Sequence, residues 1–489
     1  MLSALPQEVA GLLALIALVL LPGLVVVRAP WTVVPALSMA FWTLTWWWVA
    51  VVSRSRTLTF ALAAFALLAA LRLVPKHVVS PPPGYTGPLP PPPVTGPLTG
   101  EVPRLRSPSS LAVVAVSVAA LAPLVLLRHV PGREMAFHTT AARVTLWRDA
   151  LPVTYEPLLP LAPFGAHAPA LPTLAADVSL LSGLDPGRSV ALVTLASVGL
   201  LLLGLFALLS VGLRPPAAAL AALLGLAAVR WPGFFAMWGE GGSLLALGMG
   251  VSAAALLLGH TSRPSAVAAG MLLAAAALAQ PLLAALAAVG LVAVAVVPQR
   301  HEWNPRRSAS AVGLGTTKRL GLAFGVSAVL GAPGLWRTVR TLSAREAWAV
   351  LGSLQVGAVM DFVMGLVVLV LVAFLAARLT HPEAARGGSR VRAAVLMGLG
   401  AALLLVRVTF GLGAGQVSPA SLRQLEALEG EARPLEAVCA PEGLIDWVPG
   451  LAGRTPGQEG AAEPEPWAPP VFRDEWRRRP LRPCSTRLD

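Results

Sequence analysis

From Val190 to Leu213 the chain runs without a single acid or base, and comparable apolar stretches recur along most of its length. A helix needs about twenty mostly apolar residues to cross the hydrocarbon core of a bilayer. Candidate spans are Val9–Val27, Thr32–Val52, Thr57–Val74, Leu111–Leu127, Val190–Leu213, Pro216–Val229, Ser243–Gly259, Ala266–Ala279, Leu282–Val297, Leu320–Trp336, Val356–Ala377 and Ala393–Leu412. The chain is 56% hydrophobic and 12% charged, against about 25% charged residues in soluble domains. These features predict an all-α integral membrane protein with about 12 transmembrane helices. The run from Ser265 to Val297 is too long for one span, and Gln280-Pro281 divides it into a tight hairpin of two short helices.

The net charge of +13 does not point to nucleic acid, because no basic motif interleaved with aromatics is present. Lys and Arg concentrate between spans, at Arg300–Arg319 and Arg378–Arg392, as the positive-inside rule expects of cytoplasmic loops. Counting spans from those loops puts the N-terminus, the loop Arg128–Arg188, the loop Trp231–Gly242 and the tail from Gly413 outside. The scheme also puts Arg54 and Arg56 outside, against the rule. The bias toward Ala, Leu and Val suggests a GC-rich bacterial genome, and hence a multi-pass protein of the bacterial inner membrane.

Four regions follow: N-terminal membrane helices (1–74), a Pro-rich linker (75–110), a membrane core (111–412) with its outer loop at 128–189, and a small soluble tail (413–489). In the outer loop, Phe137, Ala141 and Val144 line one helical face while Glu134 and His138 line another. The spacing predicts an amphipathic helix lying on the membrane, followed by a second helix over Leu171–Leu184. The only two cysteines, Cys439 and Cys484, both fall in the tail. They are either a disulfide, which an oxidising outer compartment permits, or two free thiols.

The polar residues of the outer face carry the candidate chemistry. A carboxylate at the water–lipid boundary, Glu134, can serve as general base toward an acceptor hydroxyl, with His138 beside it to hold a phosphate. An interfacial helix with ordinary charged residues is the other reading of the same spacing. Tyr155, Glu156 and His167 follow in the same loop. Glu240 sits between glycines that let backbone approach a ligand. Asp361 is an ionisable group inside a span, where function is the default hypothesis. No zinc pattern is present, since His138 and His167 have no cysteine near them. No cofactor is expected.

In this order the segments resemble the polytopic GT-C glycosyltransferases of the protein-mannosyltransferase-like superfamily. Members commonly carry Asp-x-x-Phe-His in the first large outer loop, where this chain has Glu134-Met-Ala-Phe137-His138. The stretches Tyr155-Glu156-Pro157, Phe164-Gly-Ala-His167-Ala-Pro169 and Leu181-Ser-Gly-Leu-Asp185-Pro186 also match. So do Trp238-Gly-Glu240-Gly-Gly242 and, in the tail, Asp446-Trp447-Val-Pro449-Gly-Leu-Ala-Gly453-Arg454. The chain departs from the pattern in having Glu134 for Asp, and Gln280 where many relatives have the His of a His-Pro pair. The resemblance implies a diverged member in which Glu134 deprotonates the acceptor. It also implies substrate contacts at His138, Tyr155, Glu156, His167, Glu240 and Asp361. The donor would be a polyprenyl-phosphate sugar and the acceptor an envelope glycan, lipid or protein. A transporter, a flippase-like protein or a membrane scaffold is the alternative. Against the transporter stand spans nearly free of charge and two halves that do not resemble each other.

Overall fold

A computed structural model describes residues 5–26, 31–52, 133–152, 154–156, 158–159, 170–228, 241–260, 262–296, 315–341, 356–379, 417–430, 437–441, 444–457 and 486–488, with a few isolated positions besides, Cys484 among them. The Pro-rich linker and the expected span Leu111–Leu127 lie outside the described residues. So do most of Thr57–Val74 and Ala393–Leu412.

Helix predominates. In chain order the helices are α1 (Leu5–Val26), α2 (Val34–Val52), α3 (Arg133–Arg148), α4 (Ala170–Ser182), α5 (Pro186–Leu209) and α6 (Pro215–Ala228). Then come α7 (Gly241–Gly259), α8 (Arg263–Ala279), α9 (Pro281–Val296), α10 (Thr316–Thr341), α11 (Val356–Leu379) and α12 (Pro419–Gly430). Among the described residues three helices are long and apolar enough to cross a membrane, at Pro6–Leu24, Pro186–Leu209 and Gly241–Gly259. Shorter apolar helices accompany them. This is the character of a membrane protein.

The apolar run after Ser262 breaks where its sequence indicates. Gln280 leaves the helix with φ −161° and ψ 101°, and α9 starts on Pro281, whose ring suits a first helical turn. Helices that are apolar on every side belong in the interior, and α7 takes that place, packed against α5, α8 and α9. Small residues make the approach possible. A Cβ added to Gly248 would collide with Leu200, and one added to Gly204 would lie 2.9 Å from the Ser252 hydroxyl and 3.2 Å from the Gly248 carbonyl. Large side chains also stand exposed, at Val9, Leu13, Ile16, Leu20 and Leu24 of α1 and at Val367, Val370, Leu371, Phe374 and Leu375 of α11. Such rows of apolar surface are what a lipid environment covers.

Arg319 at the start of α10 donates to the carbonyls of Leu257 (2.8 Å) and His260 at the end of α7, satisfying acceptors that a helix C-terminus leaves open. The opposite end of α7 lies beside α3 and α4.

The tail departs from an all-α expectation. After α12 it forms three short strands, β1 (Ala437–Cys439), β2 (Thr455–Pro456) and β3 (Thr486–Arg487), in the order β2-β1-β3 with both pairings parallel. Between β1 and β2 the chain winds through a 3₁₀ turn, Ile445–Trp447, and one wide helical turn, Val448–Ala452. Cys439 and Cys484 form a disulfide with Cα atoms 5.5 Å apart, which decides between the two readings of the cysteines. Leu425, Leu428, Val438, Leu444, Trp447, Val448 and Leu451 belong to the same continuous apolar core as the membrane helices. The tail is therefore packed onto the helical body.

Candidate functional site

Helix α3 forms as the residue spacing predicts, but it does not lie on the surface as an amphipathic helix. From Met135 to Thr145 nearly every residue is buried, His138, Thr139, Thr140 and Arg143 included. The physical reason is the company it keeps: α4 and α5 cover one side and the Val448–Ala452 turn covers another. Three threonines turn their hydroxyls back onto the helix itself, Thr139 to Met135, Thr140 to Ala136 and Thr145 to Ala141, at 2.7–2.9 Å. Those bonds let polar side chains be buried without stranding a hydroxyl.

His138 faces the start of α7. A Cβ on Gly242 would stand 3.8 Å from its Nε2 and 3.9 Å from its Cε1, and 3.2 Å from the Ala279 carbonyl. On the neighbouring Gly241 it would lie 2.8 Å from the Thr194 hydroxyl and 2.9 Å from Leu171. The glycine pair thus brings the N-terminus of α7 into a junction of α3, α4, α5 and the end of α8. A helix N-terminus presents N–H groups that have no partner within the helix, together with the positive end of the helix dipole.

A second polar group lies buried in the same region. Asp177 of α4 is fully covered, and its Oδ2 accepts from the Trp46 indole N–H at 2.8 Å. Nearby on α4, Ser179 donates to the hydroxyl of Ser189 on α5 at 2.7 Å. Asp185 caps α5, its Oδ2 accepting from the N–H groups of Gly187 (2.7 Å) and Arg188 (3.3 Å). Its other oxygen meets Arg143 at 3.3 Å. Arg188 then grips Glu8 of α1 with Nε and Nη2 at 2.8–3.1 Å, the fork-to-carboxylate geometry that favours arginine.

On its other flank, Arg143 holds the tail. Its Nε donates to the Gly450 carbonyl at 2.6 Å and its Nη2 to the Leu451 carbonyl at 2.8 Å. Gly453 closes the turn at φ 65°, a left-handed conformation that glycine adopts without strain, and a Cβ there would press on the Trp147 ring at 3.0 Å. The next residue, Arg454, is buried and donates to the Leu428 carbonyl at 2.6 Å, tying the turn to α12.

The residues singled out from sequence divide accordingly. Glu134 and His138 share α3 one turn apart. Tyr155 is wholly buried, and burial pushes its phenol well above the usual range, so it remains a neutral hydroxyl. Glu156 keeps its side chain in solvent while its carbonyl accepts from Arg148 at 2.7 Å. Asp361 lies in the second turn of α11. His167, Glu240 and the side chains of Glu134 and Asp361 lie outside the described residues. Sequence reasoning missed Arg143, Asp177 and the Arg188–Glu8 pair. The signal available for them was an arginine or aspartate placed among residues of otherwise apolar or small character. Among the described residues no three His, Cys, Asp or Glu side chains gather as a metal site. No protein-family model matches the chain, and no curated protein matches it by sequence.

Proposed function

We propose that this chain is a multi-pass glycosyltransferase of the GT-C kind in a bacterial inner membrane. It moves a sugar from a polyprenyl-phosphate donor to an envelope glycan, lipid or protein acceptor on the outer face. The observation that carries the reading is the buried imidazole of His138, one turn from Glu134 and set against the glycine-led N-terminus of α7. A buried imidazole beside the positive end of a helix dipole is suited to an anionic lipid phosphate. A carboxylate one helical turn away is suited to take the acceptor proton as the glycosidic bond forms and the polyprenyl phosphate departs.

In this reading the two ends of the helical body are the two faces of the bilayer. Glu8, Arg188, Asp185 and the tail share the outer end. Arg319, beside the basic stretch that precedes it, marks the cytoplasmic end with Leu257 and His260. The order of the segments quoted for the GT-C resemblance supports the same assignment, as does the disulfide, which suits an oxidising exterior.

The test is Glu134→Gln, which keeps the shape of the side chain and removes its basicity. Transfer from a polyprenyl-phosphate sugar should fall by about 10²–10⁴-fold at an unchanged protein level. Transfer at the wild-type rate in that variant would remove Glu134 from the mechanism.

A further inference from the structure

Three segments far apart in the chain converge on one buried guanidinium. Arg143 comes from the middle of α3, Asp185 from the N-cap of α5, and the carbonyls of Gly450 and Leu451 from the tail. The surfaces around this contact are fitted without slack. A Cβ on Gly450 would lie 2.8 Å from Thr139 Cγ2 and 3.0 Å from the Thr140 backbone nitrogen. One on Gly187 would lie 2.6 Å from Leu451 and 2.9 Å from Asp185 Oδ2. The turn therefore rests directly on α3 at Thr139 and Thr140, one and two residues past His138.

We propose that Arg143 is a positioning residue that locks the C-terminal turn Val448–Arg454 onto α3, so that the tail fixes the helix bearing Glu134 and His138. The chemistry of the contact supports this. A guanidinium has donors in a rigid fork and can hold two consecutive carbonyls and a carboxylate together, where a lysine ammonium offers a single point. The flanks of α3 divide the work: the His138 side meets α7, while Thr139, Thr140 and Arg143 meet the tail and α5. A displaced turn would leave α3 unsupported on the flank opposite its catalytic face. The consequence for catalysis rests on the reading of Glu134 as the base; the clamp itself does not.

The full-length protein in detergent micelles carries the test, through hydrogen exchange of the peptides spanning 137–146 and 444–457 together with steady-state transfer from a polyprenyl-phosphate sugar. Arg143→Met keeps the buried stem and removes the donors, Arg143→Lys keeps the charge without the fork, and Gly450→Ala lifts the turn from the α3 side while the guanidinium itself is retained. Arg143→Met and Gly450→Ala should each speed exchange about tenfold in both peptides, with Arg143→Lys between them and wild type. Per folded molecule, kcat should fall about tenfold while the donor KM stays within about twofold, the signature of a misplaced base. Unchanged exchange in both peptides for Arg143→Met and Gly450→Ala would overturn the clamp. Faster exchange confined to 444–457, with kcat at the wild-type value, would overturn the positioning of α3. Wild-type protein that transfers no sugar, with both peptides loosened in the variants, would defeat the glycosyltransferase reading and leave the clamp standing.

Discussion

Arg143 and Asp185 stand 3.3 Å apart with very different exposure: 5% of the arginine side chain reaches solvent against 40% of the aspartate. The same carboxylate also caps α5 through Gly187 and Arg188. The two roles separate by substitution. Asp185→Asn retains an acceptor at the cap and should change the melting temperature little, since a half-exposed ion pair contributes weakly. Asp185→Ala removes the cap as well and should cost about 1 kcal/mol in thermal unfolding. Equal losses in both variants would mean that the ion pair, not the cap, is the main contribution.

The disulfide joins residues 45 apart and closes the loop that contains the docked turn. In the chain-entropy account a loop of this length gives about 4 kcal/mol of stabilisation. Thiol labelling of membranes prepared without reductant should modify neither cysteine. Cys439→Ser and Cys484→Ser should each render the tail sensitive to protease. Stoichiometric labelling of both thiols in untreated membranes would contradict the pairing.

Only two tyrosines occur, Tyr85 and Tyr155. In the Tyr85→Phe variant the phenol of Tyr155 should show no ionisation near the ordinary tyrosine pKa of about 10. Burial disfavours its anion until the protein unfolds. Absorbance titration in the alkaline range reads this directly, and an ordinary phenol titration in the folded protein would refute it.

His260, at the end of α7, is held below the usual imidazole range by burial. Its folded pKa therefore lies below its unfolded value. The unfolded chain takes up the proton first as pH drops, so stability falls once the pH passes below about 6.5 and levels off below the folded pKa. His260→Gln should flatten that part of the stability profile. A wild-type melting temperature independent of pH from about 7 down to 5 would rule out the effect.

Trp46 and Asp177 meet across 131 residues of sequence. Trp46→Phe keeps the aromatic packing and leaves the buried carboxyl one donor short, at an expected cost of about 1–3 kcal/mol in thermal unfolding. A neutral outcome would show that the carboxyl finds an equal partner elsewhere.

The contrast between what the sequence announced and what it concealed follows from range. Apolar length, the Gln280-Pro281 break and the one-turn spacing of Glu134 and His138 are local facts, written in consecutive residues. The burial of α3 depends on Gly450 and Leu451, some 300 positions away. Periodicity alone assigned its polar flank to water and headgroups. Arg143 and Asp177 stand out locally only as single charges among apolar or small residues, and only the fold shows the carbonyls and the indole that receive them. The tail's strands were hidden for another reason. Each is two or three residues long, too short for any alternation to register.

The seam between α5 and α7 has its own meaning for how this protein tolerates change. In a bilayer, lipid tails are as apolar as leucine, so helices hold together through close contact rather than through exclusion of water. At Gly204, Gly248 and Ser252 that contact is already at its limit, and the space for a single methyl at Gly248 is occupied by Leu200. The mutational weak points of the membrane body thus sit at its smallest and chemically blandest side chains, whereas its exposed leucines and valines are free to drift among apolar types.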